Sequence, residues 1–407
     1  MAIKYLRPES RAFTLLLGLI ASTQALATSI TLPALPLIAD TLHAPIHQVQ
    51  LTVSGFLGGL ALSLIFTGAL ADRFGRKPVL LAGLSLFTLS GIGCAFAPSI
   101  EWLIAFRILQ GMGGASGMVM GRAVIRDLFV QSRAIQMMSY IGTVISIMPM
   151  LAPILTSGLL TFTSWRIVFL VLSAMSLTVL ILAMFFIAES LRTPDKDATN
   201  IARMATNSRR FLTTPISMSY VTIMFISYGA FFAYMAILPY VLVKAFDVSI
   251  TQSGFFVALV GISSIIGTVI GSRLAIRWPV RWTLSLSTSM ALASGLAVLA
   301  GSYSGWRGTE GILVIVLPMI VYGISFGITH PTCIAAAMQP VPQIAGIASG
   351  ITGTLQMSSG AVFAWLAGQL FDGTPSTIGL CVGIAATLAF LVFFFIARPL
   401  SPLPVRA

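Results

Sequence analysis

GALADRFGRKPVL, from Gly68 to Leu80, is the stretch on which the reading of this chain turns. It sets four charges, Asp72, Arg73, Arg76 and Lys77, and two glycines, Gly68 and Gly75, between two long apolar runs. Charged residues make up only 8% of the 407 residues, and hydrophobic ones make up 57%. Soluble domains carry about 25% charged residues, so a soluble surface cannot be built from this composition. The composition fits an integral membrane protein, and the quoted stretch is then a polar link between two spans.

Working outward from that link, a spanning helix needs about 20 mostly apolar residues. Twelve such runs lie near 12–39, 48–70, 78–97, 101–126, 134–160, 166–188, 216–243, 252–275, 282–301, 311–335, 344–370 and 376–397. Ala25-Leu26-Ala27 resembles a signal-peptidase site, but the first run continues to Ile38. That exceeds the ~7–15 apolar residues of a signal peptide, so it reads as a first span. The links are short except for ESLRTPDKDATNIARMATNSRRFLTTP, Glu189–Pro215. The expected organisation is an N-terminal six-helix bundle over 1–190, a cytoplasmic connector over 191–214 with room for a surface helix, and a C-terminal six-helix bundle over 215–407.

The net charge of +12 suggests nucleic acid until the basic residues are placed. They sit in alternate links, while the opposite links hold only Arg166, Lys244 and Arg307. The positive-inside rule accounts for this pattern and puts both termini in the cytoplasm. No nucleic-acid partner is expected. Cys94, Cys333 and Cys381 lie in apolar runs without CxxC or metal-ligand spacing, so no metal site and no cofactor are expected. HExxH, GxSxG and paired intramembrane carboxylates are absent from the sequence, which argues against a membrane-embedded enzyme. A receptor built on a transporter scaffold is a further alternative, and the short links leave no room for an extra soluble domain.

The halves echo each other. LADRFGRK, Leu70–Lys77, aligns without a gap onto LAIRWPVR, Leu274–Arg281, 204 residues later. Both segments follow the second span of their half, as in membrane folds built from internal repeats. Ile276 stands in the copy where Asp72 stands in the original.

Two sets of six spans, with Gly68-x-Leu70-x-Asp72-Arg73-x-Gly75-Arg76-Lys77 after the second, resemble the major facilitator superfamily over essentially the whole chain. The resemblance implies an all-α membrane protein with twelve transmembrane helices in two pseudo-symmetric six-helix bundles, working by alternating access. LPALPLIAD (Leu32–Asp40), GRAVIRDLF (Gly121–Phe129) and AGIASGITGTLQ (Ala345–Gln356) are similar to the bicyclomycin/chloramphenicol-resistance branch of drug:proton antiporters. It implies proton-coupled efflux of small amphipathic compounds or drugs across a cell inner membrane, with substrate, protons and bilayer as partners and a monomer as the working form. The alternative is transport of a natural metabolite such as a sugar or amino-acid derivative.

Elementary physics assigns parts to the link. Gly68 leaves room for a close helix approach, Gly75 permits a tight turn, and Asp72 is a carboxylate at a helix end, suited to the positive N-terminus of another helix. By the resemblance, Gly68, Asp72, Arg73, Gly75, Arg76 and Lys77 form a cytoplasmic gate in which Asp72 faces the start of span eleven. The other reading is a solvated positive-inside loop.

Inside the spans, Arg107 in FRILQGMGGASG is a functional candidate because an intramembrane arginine is costly unless paired or wetted. Its alternative is snorkelling to the outer interface. By the resemblance, Arg107 and Gln110 belong to a fourth-span motif tied to proton coupling or to the cavity. His330 in GITHPTC is the histidine placed within a span, and its unperturbed pKa near 6.5 suits a proton switch. A hydrogen-bonded histidine near the span end is the plainer reading. Spans one, four, seven and ten are the expected substrate surface. Gln24, Tyr228, Phe231, Tyr234 and Met235 are the candidates there, with ordinary helix packing as the alternative for the aromatic stripe. Pro149 and Pro153 are expected to bend span five. Two departures from the antiporter pattern stand out. Ala152-Pro153 is followed by Thr156-Ser157-Gly158, and Ser29 precedes the Thr31-Leu32-Pro33 step where an acid is usual.

Overall fold

The computed structural model describes residues 6, 8, 10–129, 137, 141, 144, 151–191, 193–305, 308–341 and 344–400. Among them the regular structure is helical throughout. The chain packs as two compact units, Met1–Ile201 and Ala202–Ala407.

Unit 1 holds α1 (Arg11–Thr31), α2 (Leu35–Thr41), α3 (Ile46–Phe74), α4 (Arg76–Ala95), α5 (Ile100–Leu128), α6 (Leu151–Leu160) and α7 (Trp165–Phe186). The helix α8 (Ile201–Leu212) follows. Unit 2 continues with α9 (Pro215–Tyr240), α10 (Ile250–Arg277), α11 (Val280–Ser302), α12 (Gly308–Met338), α13 (Ala345–Gln369) and α14 (Ser376–Val392).

Local chemistry sets the boundaries. Ser10 caps α1 by accepting from the Phe13 amide at 3.2 Å. Ser249 and Gln252 form a reciprocal capping box at the start of α10. Gly75 turns α3 into α4 at φ +101°, a conformation that L side chains resist. The first run is not one helix. A 3₁₀ turn, Leu32–Ala34, separates α1 from α2, because Pro33 and Pro36 withhold the amides that an unbroken helix would need. Pro239 likewise precedes a π-helical turn, Val241–Ala245, at the end of α9.

Ten helices among the described residues are long and apolar enough to cross a membrane. Of the two remaining expected spans, α13 has the length, at 25 residues, but Thr352, Thr354, Gln356, Ser358 and Ser359 dilute its hydropathy. The other is the run 134–160, whose described helical part is α6. Pro153 lies in α6, and Pro149 lies outside the described residues.

The packing order repeats. In unit 1, α5 packs on α1, α3 and α4, and α7 packs on α1 and α4. In unit 2, α12 packs on α9, α10 and α11, and α14 packs on α9 and α11. The closest crossings repeat as well. A Cβ on Gly59 of α3 would strike the Ile108 carbonyl of α5, and one on Gly111 would strike the Phe56 carbonyl. Unit 2 has the same arrangement: Gly267 of α10 against Ile324 of α12, and Gly327 against Ser264. Lipid tails are as apolar as leucine, so helices in a bilayer associate by close backbone approach, and glycine permits it. The α10 crossing sits one turn nearer its link, since Gly59 precedes Gly75 by 16 residues and Gly267 precedes Pro279 by 12.

These crossings yield opposite signs for one chemical change. Gly111→Ala and Gly327→Ala should each destabilise the purified protein by about 1–3 kcal/mol through overpacking. Gly261→Ala, where nothing lies within 4 Å of the added carbon, should be neutral or stabilise by up to about 1 kcal/mol through helix propensity. Thermal unfolding in detergent ranks the three.

Candidate functional site

The link between α3 and α4 is an organised cluster. Arg76 is buried, with its side chain 5% exposed, and bridges two acids. Its Nη1 meets Asp72 Oδ1 at 2.6 Å, and its Nε donates to Asp127 Oδ2 at 2.8 Å. Asp127 comes from the last turn of α5 and also accepts from the Ser190 hydroxyl at 3.3 Å. Glu189, just beyond α7, caps α4 from outside. Its Oε1 accepts from the Arg76 amide and its Oε2 from the Lys77 amide, both at 3.0 Å. A carboxylate there satisfies two orphan amides and complements the positive helix end.

The segment after Glu189 folds over the same link. The Asp195 amide donates to the Asp72 carbonyl at 3.0 Å. Arg73 Nη1 donates to the Thr199 hydroxyl at 2.6 Å. Four chain segments therefore meet at one turn: the ends of α3 and α5, the start of α4 and the exit of α7.

The expected parts fall into place unevenly. Gly75 makes the tight turn, and a Cβ there would crowd Glu189 Oε2. At Gly68 nothing in its own unit lies within 4 Å of where a Cβ would stand, so close approach within unit 1 does not explain it. At this link the acid that meets a helix N-terminus is Glu189, while Asp72 pairs with Arg76. In the second copy, Ile276 is 85% exposed. Among the described residues Arg273, Arg277 and Arg281 form no ion pair. Among the described residues this ion-paired cluster belongs to unit 1.

Arg107 is fully buried, so it does not snorkel. Its Nη1 donates to Gln110 Oε1 at 2.7 Å and its Nε to the Thr52 carbonyl at 3.3 Å. The guanidinium lies 4.2 Å from the Phe56 ring centroid and 5.8 Å from that of Phe169. Aromatic faces attract a desolvated cation. No acid among the described residues pairs with it, and its Nη2 and Gln110 Nε2 have no hydrogen-bond partner there. In the register set by Gly111 and Gly327, Gly323 occupies the place of Arg107 in unit 2. A Cβ on Gly323 would strike Ser263, so the room that one unit gives to a guanidinium the other closes by helix contact.

Unit 2 instead gathers rings. Tyr228 stacks on Phe232 at 4.5 Å between centroids, and Phe231 stacks on Phe326 of α12 at 4.4 Å with planes 5° apart. His330, one turn along α12, lies 5.7 Å from Tyr228 and 5.3 Å from Phe326. The Tyr228 hydroxyl reaches the Met357 sulfur of α13 at 3.6 Å. Tyr234 is fully buried, its hydroxyl without a hydrogen-bond partner among the described residues, and Met235 is buried as well. Neither belongs to the ring cluster. Gln24 is half-buried on α1, beside Gly114 of α5.

The sequence candidates thus separate into three centres: the Asp72 link and the Arg107–Gln110 pair in unit 1, and the Tyr228–Phe231–His330 cluster in unit 2. The sequence candidates do not include Asp127, Glu189 and Phe326. Asp127 and Glu189 carry a signal, as acids at span ends beside arginine-bearing links. Phe326 stands one turn before His330 on a helix, which also pointed to it.

The Major Facilitator Superfamily profile matches residues 17–364. The Bicyclomycin resistance protein homolog of Haemophilus influenzae is 24% identical over 387 residues, covering 94% of this chain and 96% of the relative. Multidrug resistance protein MdtL of Escherichia coli is 28% identical over 364 residues, covering 89% and 90%. Among solved structures, the partially occluded inward-open xylose transporter XylE of E. coli superposes with a TM-score of 0.74 at 16% identity, over 96% of this chain and 98% of that one. At that identity the likeness concerns the fold alone.

The cluster at the link makes a graded prediction. Arg76→Met strands Asp72 and Asp127 around a neutral side chain, and should cost about 3 kcal/mol of stability. Glu189→Gln keeps one of the two acceptor oxygens and loses the charge, and should cost about 1 kcal/mol. Removing Asp127 together with Arg76 should recover part of the Arg76→Met loss, as read by a double-mutant cycle of unfolding midpoints.

Proposed function

The chain belongs to the Major Facilitator Superfamily, and from that premise we propose a secondary transporter that exports small amphipathic compounds, drugs among them, in exchange for protons. It works by alternating access in a cell inner membrane, as a monomer with both termini in the cytoplasm. Residues 1–190 and 215–407 act as the two moving bundles, joined by 191–214. The Asp72 link, with Arg73, Gly75, Arg76 and Lys77, serves as the cytoplasmic latch. Arg107 and Gln110 hold the polar interior of the first bundle, and His330 carries the coupling proton. Gln24, Tyr228 and Phe231 contribute to substrate binding, and Pro153 lets span five bend.

The observation that carries the substrate class is the ring cluster of Tyr228, Phe231, Phe232, Phe326 and His330. Aromatic faces hold flat apolar ligands by stacking and area, and attract organic cations through their quadrupoles. The names of the curated relatives, bicyclomycin resistance and multidrug resistance, agree with this class. The choice of His330 follows from the acids. All eleven lie near span ends or in links, and of the three histidines His43 precedes α3, His47 lies in its first turn and His330 lies well inside α12.

Proteoliposomes with an imposed pH gradient provide the test, using a panel of amphipathic drugs, sugars and amino-acid derivatives. Drug flux should rise with the gradient, and the sugar and amino-acid arms should stay flat. Phe326→Ala should raise the KM for aromatic drugs about 2- to 10-fold, the worth of one ring contact. His330→Ala should remove the pH-driven component while leaving drug exchange without a gradient. Asp72→Asn should slow flux and shift the balance between inward- and outward-facing states, read by accessibility labelling. Flux indifferent to the gradient would end the antiport reading.

A further inference from the structure

The two units treat the charge at their inner ends differently. In unit 1 two arginines meet acids at that end: Arg76 is held by Asp72 and Asp127, and Arg126 reaches Asp127 at 3.9 Å. Unit 2 contains three acids, Asp247, Glu310 and Asp372. Asp247 follows α9, Glu310 is in the first turn of α12, and Asp372 lies between α13 and α14, all at the end opposite to the α10–α11 link. The end that carries this link has cations only.

Those cations are collected by packing. Phe211 of α8, Leu284 of α11, and Phe393 and Ala397 at the close of α14 belong to one buried cluster, with Val280 packed against it. The arginines adjoining these residues therefore ring one end of the unit. Arg209 and Arg210 precede Phe211, Arg277 and Arg281 flank the α10–α11 link, Arg273 stands one turn earlier, and Arg398 follows Ala397. Arg209, Arg210, Arg273 and Arg277 are exposed, and Arg281 and Arg398 half-buried. Among the described residues none of the six forms an ion pair. Every cation of this ring is arginine, the residue whose planar fork matches phosphate oxygens.

Apolar side chains are interleaved with the ring. Trp278 is 44% exposed and Trp282 56%, on either side of the link. Phe395 is 68% exposed beside Arg398, whose guanidinium lies 4.9 Å from the Phe394 ring centroid. Tryptophan among basic residues at a span end is the arrangement that settles at headgroup depth. A solvated positive loop would not need exposed indoles, and a protein-facing surface would not need six uncompensated guanidinium groups.

We propose that this arginine–tryptophan ring of unit 2 is a binding surface for anionic phospholipid, with the lipid phosphates taken by the guanidinium groups and the acyl chains lying along Trp278, Trp282 and Phe395. The surface stands independently of substrate and of transport direction. It makes the lipid the missing counter-charge of unit 2, where unit 1 supplies its own carboxylates.

The full-length protein in neutral detergent, titrated with phosphatidylglycerol, phosphatidylcholine or inorganic phosphate while its melting temperature is followed, provides the test. Phosphatidylglycerol should raise the melting temperature saturably, and the other two should not. Arg277→Gln/Arg281→Gln/Arg398→Gln should raise the half-saturating concentration of phosphatidylglycerol about 100-fold, from roughly fivefold per arginine. The exposed pair Arg209→Gln/Arg210→Gln, which spares the packed link, should raise it about 20-fold if the triple variant does not fold. Arg11→Gln/Arg126→Gln in unit 1 should leave it unchanged. An equal response to phosphatidylcholine, the same response to inorganic phosphate, or an equal loss in the unit 1 variant would each overturn the proposal.

Discussion

The buried guanidinium of Arg76 between Asp72 and Asp127 is the interaction on which the end of unit 1 that carries the α3–α4 link depends. A charge taken out of water needs partners, and removing one partner leaves the others stranded. Three helices therefore have to arrive at the same point, and Glu189 ties in the fourth segment by capping α4. The turn at Gly75 is fixed from both sides, by its own positive φ and by the carboxylate that occupies the space a Cβ would take. The bonds of this link share members, since Arg76 pairs with both acids and its amide is capped by Glu189.

Elsewhere the bilayer imposes a different economy. Water is absent, hydrophobic attraction between helices is weak, and backbone contact has to hold the bundle. Both units solve this with a pair of glycines at one crossing, Gly59 with Gly111 and Gly267 with Gly327. On that shared frame the units diverge. Unit 1 opens a space for Arg107 and lines it with Phe56, Phe169 and Gln110. Unit 2 closes the matching space at Gly323 and places its aromatic side chains on α9 and α12. The repeat is thus one of packing, and the chemistry differs between the two copies.

Much of this was legible in the chain. Apolar runs of spanning length gave helices close to where they were expected, since the hydrocarbon core admits little else. The breaks at Pro33 and Pro36 were visible as prolines, but their effect depended on whether neighbouring groups would keep the helix going. Arg107 announced itself by its cost, and Gln110 by standing three residues away on the same face. Tyr228 and Phe231 share a helical face, and both entered the ring cluster. Tyr234 and Met235 did not, because a helix buried on nearly all sides presents aromatic residues to several neighbours and the sequence does not say which neighbour is which. Gly68 shows the same limit, since a glycine can mark a close approach and the partner is a tertiary fact.

By itself the sequence determined the membrane class, the span pattern and the internal echo of LADRFGRK in LAIRWPVR, because these follow from composition and period along one chain. It also determined that Ile276 replaces the acid in the second copy. Only the tertiary structure decided what Asp72 pairs with, that Asp127 and Glu189 complete the link, and that Phe326 joins Tyr228, Phe231 and His330. Asp72, Asp127 and Glu189 are more than fifty residues apart along the chain, and the energy of a buried charge depends on distances that only packing sets.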